Sequence, residues 1–256
     1  MTPNRDYDPV AVPVRPASTV MLVRDVEPGP ATGPEPGIEV FMLRRTLDAV
    51  FGSGMYVFPG GRVETSDGDD LDRAHRRAAI RECFEEAGVL LARDRAGATV
   101  ADGHGALAAR VAVHESSLDL GELCLRYHLT LDLDELVWVS HWITPVGERR
   151  RFDTRFYLAQ APPGQAHTHD DNETIASLWT RPAGALQRQA AGELRMMPPT
   201  IKNLQFLARF ATVDEAIAAA RAKPAPSVVL PRLRTSADGE VVGVALPDDA
   251  DYDALA

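Results

Sequence analysis

The stretch AIRECFEEAGVLL, residues 79–91, constrains this chain more than any other. Its alanine, isoleucine, phenylalanine and leucine have amphipathic-helix spacing, yet three glutamates and an arginine stand among them. At about 100° per residue, with Arg81 at zero, Glu85 falls at about 40°, Glu82 at about 100° and Glu86 at about 140°. Ile80, Cys83, Phe84, Ala87 and Leu91 fall between about 200° and 300°. One face is therefore built to pack on a sheet, while the opposite arc gathers carboxylates. Like charges four residues apart repel. A divalent cation removes that repulsion, and clustered carboxylate oxygens suit Mg²⁺ or Mn²⁺. Arg81 can anchor one carboxylate through a bidentate pair. A solvated helix face would carry a similar pattern, so the helix alone leaves both readings open.

A second feature lies about twenty residues upstream, within one helix-and-loop length of Arg81. The sequence FPGG, 58–61, closes a short strand read over 55–63. Gly60 and Gly61 would let the backbone approach a ligand or metal and expose a carbonyl. An ordinary glycine turn is the plainer alternative.

Around these features the chain alternates irregularly between strands and helices. Residues 1–17 are proline-rich and read as a flexible N-terminal arm. Residues 18–25, 38–45, 136–145, 151–159 and 174–180 read as strands. A helix is expected from about Leu71 to Leu91, and further helices over 182–194, 199–210 and 213–222. Thr212 and Glu215 form a capping box for the last of these. Residues 94–136 read as a mostly helical insertion that could cap a ligand, and SVVLPRL and VVGVAL near the end could pair as strands. The pattern predicts a mixed α/β fold with helices on both faces of the sheet.

Composition narrows the partners. A net charge of −10 argues against non-specific nucleic-acid binding. An anionic substrate would therefore need a local basic patch or bound cations. The two cysteines, Cys83 and Cys124, have no paired spacing, which argues against a disulfide framework or structural zinc. No run approaches the ~18 apolar residues of a membrane span. A cytoplasmic protein is the expectation, with no nucleic-acid or membrane partner.

Arg81-Glu82-Cys83-Phe84-Glu85-Glu86-Ala87-Gly88-Val89, preceded by Gly60-Gly61, resembles the signature of the Nudix hydrolase family. That signature runs Gly-x5-Glu-x7-Arg-Glu-U-x-Glu-Glu-x-Gly-U, where U is bulky and apolar. Cys83 stands at the first U as a small version of it. Asp67 stands where the outer glutamate is expected, and the spacing from there to Arg81 is about six residues longer than the pattern. The resemblance implies an α/β fold of Nudix type, an α/β/α sandwich with a mixed β-sheet, a helical insertion over about 94–136 and a C-terminal helical extension over about 186–256. All of 18–256 would form the Nudix domain. It also implies hydrolysis of a diphosphate with Mg²⁺ or Mn²⁺. Glu82, Glu85, Glu86 and the Gly60 carbonyl would ligate metal, and Arg81 would orient Glu82 or Glu85. Glu173 is a candidate metal ligand or base in a later loop. A homodimer is one option the resemblance leaves open.

The segment FMLRRTLDAVFGSGMYVFPGG resembles the approach to the motif in coenzyme A diphosphatases, with Val50 where that pattern has a second arginine. HWITP, RRFDTRFYLA and DDNETIASLWTRPAGAL resemble the longer branch that includes acyl-CoA diphosphatases. The expected partner is a small nucleoside diphosphate derivative of CoA type. Arg45, Arg62, Arg150, Arg151 and Arg155 are the candidate phosphate contacts, because arginine suits both a diphosphate and a separate phosphate. An ADP-ribose or dinucleotide pyrophosphatase, and a non-catalytic nucleotide-binding regulatory domain, are the competing readings.

Overall fold

A computed structural model describes residues 10–29, 35–47, 52–170 and 174–255. Its centre is β1 (Val14–Val26), which is antiparallel to β2 (Gly37–Arg45) and parallel to β8 (Arg151–Gln160). The short β3 (Tyr56–Val57) pairs with β2. β4 (Gly60–Arg62) pairs with Ala17–Thr19 of β1. One edge of β1 thus serves β4 along its first half and β2 along its second. The glycine turn sits where that edge changes partner. β7 (Val137–Ile143) runs antiparallel to β8, and β9 (Thr174–Thr180) runs antiparallel to β2.

Both faces of this sheet are buried, as the continuous apolar run of β1 requires. Val20 and Leu22 point to one side, toward α1 (Leu71–Ala87) with its Ile80, Cys83, Phe84 and Ala87. Met21 and Val23 point to the other, toward α4 (Pro182–Ala190), α5 (Pro198–Leu207) and α6 (Val213–Arg221). Complete burial of Ile80 or Phe84 stabilises by about 1.5–3 kcal/mol each. The expected α/β/α sandwich and the Thr212–Glu215 capping box are both present.

Several local expectations need correction. α1 stops at Ala87 rather than Leu91, because Gly88 adopts φ 72° and its amide returns to the Phe84 carbonyl. Val89 to Ala92 continue buried beyond the helix, so the apolar pattern outlasts it. Val14 to Ala17, read as part of the N-terminal arm, already belong to β1, held by the parallel ladder to β8. Residues 94–136 are less helical than expected. They hold the short α2 (Arg110–His114) and α3 (Leu120–Tyr127) and 3-10 turns at Leu107–Ala109 and Leu133–Glu135, and a two-stranded ribbon of β5 (Ala92–Arg93) and β6 (Thr130–Leu131) spans the segment. Gly97 and Gly103 have positive φ there and break the pattern. Near the end, β10 (Val228–Val229) joins β7, and the hairpin forms between β11 (Arg232–Thr235) and β12 (Val241–Ala245).

Candidate active site

The acidic end of α1 meets the glycine turn through specific atoms. The Gly60 amide donates to Glu86 Oε2 at 2.8 Å. A Cβ on Gly60 would lie 2.4 Å from the Ser18 carbonyl oxygen, so only glycine fits against β1. A Cβ on Gly61 would lie 2.5 Å from the Glu82 carboxyl carbon. The missing side chain of Gly61 is the slot that Glu82 occupies.

Arg81 organises the remaining acids. Its Nη1 donates to Glu82 Oε1 at 2.9 Å and to both oxygens of Glu85 at 3.3 Å. Its Nε and Nη2 grip Asp67 at 3.2 and 3.1 Å, and Nη2 also reaches the Arg62 carbonyl at 2.7 Å. The residue standing in place of the outer glutamate is therefore the buried partner of Arg81. Burial opposes the charge on Arg81, but Glu82, Asp67 and Glu85 outweigh it and hold the guanidinium above its ordinary range. Burial pushes the Glu85 carboxyl up from its usual value, while Arg81 and His114 pull it partly back.

The donor chemistry fits a hard divalent cation: three carboxylates within one turn and a closely approaching backbone, all offering oxygen. Among the described residues no three His, Cys, Asp or Glu side chains already converge on one point. The reason is visible in the bonds above, since Arg81 draws Glu82 and Glu85 while the Gly60 amide draws Glu86. A carboxylate offers about four lone-pair sites, so these bonds leave capacity for an ion.

Two residues of the 94–136 segment reach this cluster without having left a signal in the sequence. Arg110 donates from Nε to the Glu85 carbonyl at 2.9 Å and from Nη2 to the Glu86 carbonyl at 2.8 Å. It thereby caps the orphan carbonyls of α1. It also donates to the Thr168 carbonyl and hydroxyl at 3.1 Å each, which ties the 168 loop to the same helix end. His114 ends α2, and its Nε2 lies 4.0 Å from the buried Asp170 carboxylate.

A cavity of about 1210 Å³ opens beside Glu82 and Glu85, and His114 lies on its wall. Arg45, Arg62, Arg150 and Arg151 line it too, joined by Arg15 and Arg149. Arg151 is anchored by its Nε to the Thr144 carbonyl at 3.0 Å. Arg155 is not among them. Strand alternation turns it to the opposite face of β8, where it pairs with Asp72 at 2.9 Å and lies 4.4 Å over the Trp138 ring. It belongs to the packing of α1 on the sheet, not to the group of phosphate contacts expected above. Asp153, its neighbour on that face, pairs with His141. Glu173 and Val50 lie outside the described residues.

Comparison with known proteins agrees with this geometry. Residues 69–207 match the family profile described as the NUDT19 Nudix domain. The chain is 31% identical to the acyl-coenzyme A diphosphatase NUDT19 of Gallus gallus, over 84% of this chain and 74% of that protein. It is 32% identical to the human protein of the same name, over 56% of this chain and 41% of that protein. Among solved structures, a NUDIX hydrolase from Alicyclobacillus acidocaldarius superposes with a TM-score of 0.67 at 28% identity, covering 81% of this chain and 97% of that one. With its signature turn and helix assembled as described, the chain belongs to the Nudix hydrolases, in the family of the NUDT19 Nudix domain.

Proposed function

We propose that this hydrolase cleaves the diphosphate of coenzyme A or its acyl thioesters, using Mg²⁺ or Mn²⁺. The products are 3′,5′-ADP and 4′-phosphopantetheine or its acyl derivative. The observation that carries this reading is the cavity itself, in which the Glu82–Glu85 end of α1 shares one space with Arg15, Arg45, Arg62, Arg150 and Arg151. A ligand with a diphosphate and a further phosphate has use for that many guanidinium groups. The relatives named as acyl-coenzyme A diphosphatases support the same substrate class.

Glu82, Glu85 and Glu86, with the Gly60 carbonyl, would hold the divalent ion. Bound there, it neutralises charge developing on the diphosphate. Arg81 fixes the directions of Glu82 and Glu85, and the Gly60 amide fixes that of Glu86. The arginines of the wall hold the phosphates in place for attack. Water adds to one phosphorus, the bridging P–O bond breaks, and the departing oxygen stays with the other product. The proton lost by the water passes to a carboxylate, with Glu82, Glu85 and Glu173 as the candidate bases.

The test is a hydrolysis screen with Mg²⁺ or Mn²⁺ over CoA, acyl-CoAs, NADH and ADP-ribose, read by mass spectrometry. Release of 3′,5′-ADP from CoA or an acyl-CoA is the expected result. Preferential release of AMP from ADP-ribose or NADH would move the assignment to that branch.

A further inference from the structure

The cavity is larger than the ~300–1,000 Å³ that encloses drug-sized ligands, and its walls are not alike. The C-terminal extension contributes Met197, Pro198, Pro199, Thr200, Pro231 and Val244, and no charged side chain among the described residues. Two contacts bring it there. The Tyr56 amide donates to the Arg195 carbonyl at 2.8 Å, which seats the start of α5 against β3. At the β7–β8 turn, Gly147 has φ 106°, and a Cβ there would lie 2.6 Å from Leu233 Cδ1. Leu233 pairs across the hairpin with Val244, so this close approach sets Val244 at the cavity.

The floor of the cavity gives a scale. Across the sheet, Arg62 pairs with Ala17, Ala17 with Thr154, and Thr154 with Trp142. Strands are spaced about 4.8 Å apart, so Trp142 lies on the order of 14 Å from the glycine turn. Along the neighbouring row, Gly60 pairs with Thr19 and Thr19 with Phe156, about 10 Å in two steps. The half-buried Phe152 and the edges of the largely buried Phe156 and Trp142 thus continue the floor away from the acids as aromatic lining. An extended pantetheine arm is on the order of 15 Å long, given ordinary bond lengths.

From this geometry we infer a subsite for the acyl-pantetheine arm, floored by Phe152, Phe156 and Trp142 and walled by Met197 and Val244. The inference rests on the CoA reading above. It assigns the thioester and the first part of the acyl chain to the C-terminal extension. The 94–136 segment, read from sequence as the cap, brings His114 and Ser116 to the cavity wall.

The experiment measures kcat/KM for release of 3′,5′-ADP along acetyl-, hexanoyl- and decanoyl-CoA, in the wild type and in Met197→Glu and Val244→Glu. Thermal melts check that each variant is folded, and Met197→Ser and Val244→Ser replace any that is not. The wild type should favour longer chains, by up to about fourfold for each fully buried methylene. Each glutamate variant should lower the decanoyl-to-acetyl ratio at least about tenfold, because a carboxylate in the subsite penalises the alkyl chain. The serine variants should lower it by about threefold. Turnover with a flat chain-length series, or a ratio unchanged in folded variants at both positions, overturns the subsite while leaving the CoA reading intact. Failure of every CoA derivative to release 3′,5′-ADP overturns the CoA reading and the subsite with it.

Discussion

At the first turn of α1, Asp72 pairs with Arg76 and with Arg155, each at 2.9 Å, and its side chain is 54% exposed. About two and a half turns later on the same helix, Arg81 holds Asp67, Glu82 and Glu85 with every group 14% exposed or less. The bond lengths are similar, but the environments are not. Water screens the Asp72 carboxylate, so that one member can be lost at little cost. The second set is desolvated, and each member depends on the others for its charge. Arginine–carboxylate pairs therefore form a partly solvated contact at one end of the helix and a fixed, desolvated array at the other.

The largest expected effect is on turnover. Glu85→Gln keeps the shape of the side chain but removes its charge and most of its claim on Arg81 and on a metal. Metal-dependent turnover should fall by on the order of 10²–10⁴, with the circular dichroism spectrum and melting temperature nearly unchanged. Full activity in a folded Glu85→Gln protein would remove the acid end of α1 from the chemistry.

Next comes the arginine that binds the array. Arg81→Ala would leave Asp67, which is 3% exposed, without its bidentate partner. Breaking a buried pair in this way costs about 3–5 kcal/mol, read as a lower urea midpoint. Adding Asp67→Ala to Arg81→Ala should recover part of that loss. If the single variant is as stable as wild type, the cluster is not the coupled unit described here.

That dependence on neighbours also separates what could be read from sequence from what could not. The spacing of Arg81, Glu82, Glu85 and Glu86 already places them on one arc, because a helix converts spacing into direction. Gly60 and Gly61 could be singled out because only glycine permits such close backbone approach. The fold class followed from alternating strand and helix patterns, and both faces of the sheet are covered as expected. Arg155 shows the limit. Alternation along β8 sets it opposite Phe152, Thr154 and Phe156, but nothing local says that Asp72, 83 residues away, is waiting on that side. Arg110, His114 and Val244 are long-range partners of the same kind, each on an element too short or too irregular to announce its neighbour. The end of α1 at Gly88 was masked for a different reason: the buried residues after it are as apolar as those before it.

A third test uses a titrating group that lies along α1 between the two ends. His75 is 2% exposed, and its Nδ1 meets Ser18 Oγ at 2.9 Å. Burial first, and then the nearby Arg155 charge, lower its pKa from 6.5 to about 4, against an opposing pull from Asp153. The unfolded chain therefore binds more protons than the folded one between those values. Stability due to neutral His75 is complete above about pH 6.5 and is lost as pH falls toward about 4, by on the order of 1–3 kcal/mol. Urea unfolding at intervals from pH 7 to pH 4 should show this decline in the wild type and a shallower one in His75→Gln. Equal slopes in the two proteins would mean that His75 charges as readily in the fold as outside it.

The smallest effect is expected at the solvated end, and it is the control that gives the comparison its meaning. Arg76 and Arg155 hold the Asp72 carboxyl below its ordinary value even though partial burial opposes them. Yet more than half of its side chain meets water. Asp72→Asn should therefore cost no more than about 1 kcal/mol and leave turnover as in the wild type. Arg155 would keep its place over Trp138, since that contact needs the ring and not the carboxylate. A loss at Asp72→Asn as large as that at Arg81→Ala would show that desolvation does not distinguish the two ends, and that the whole length of α1 acts as one charged unit.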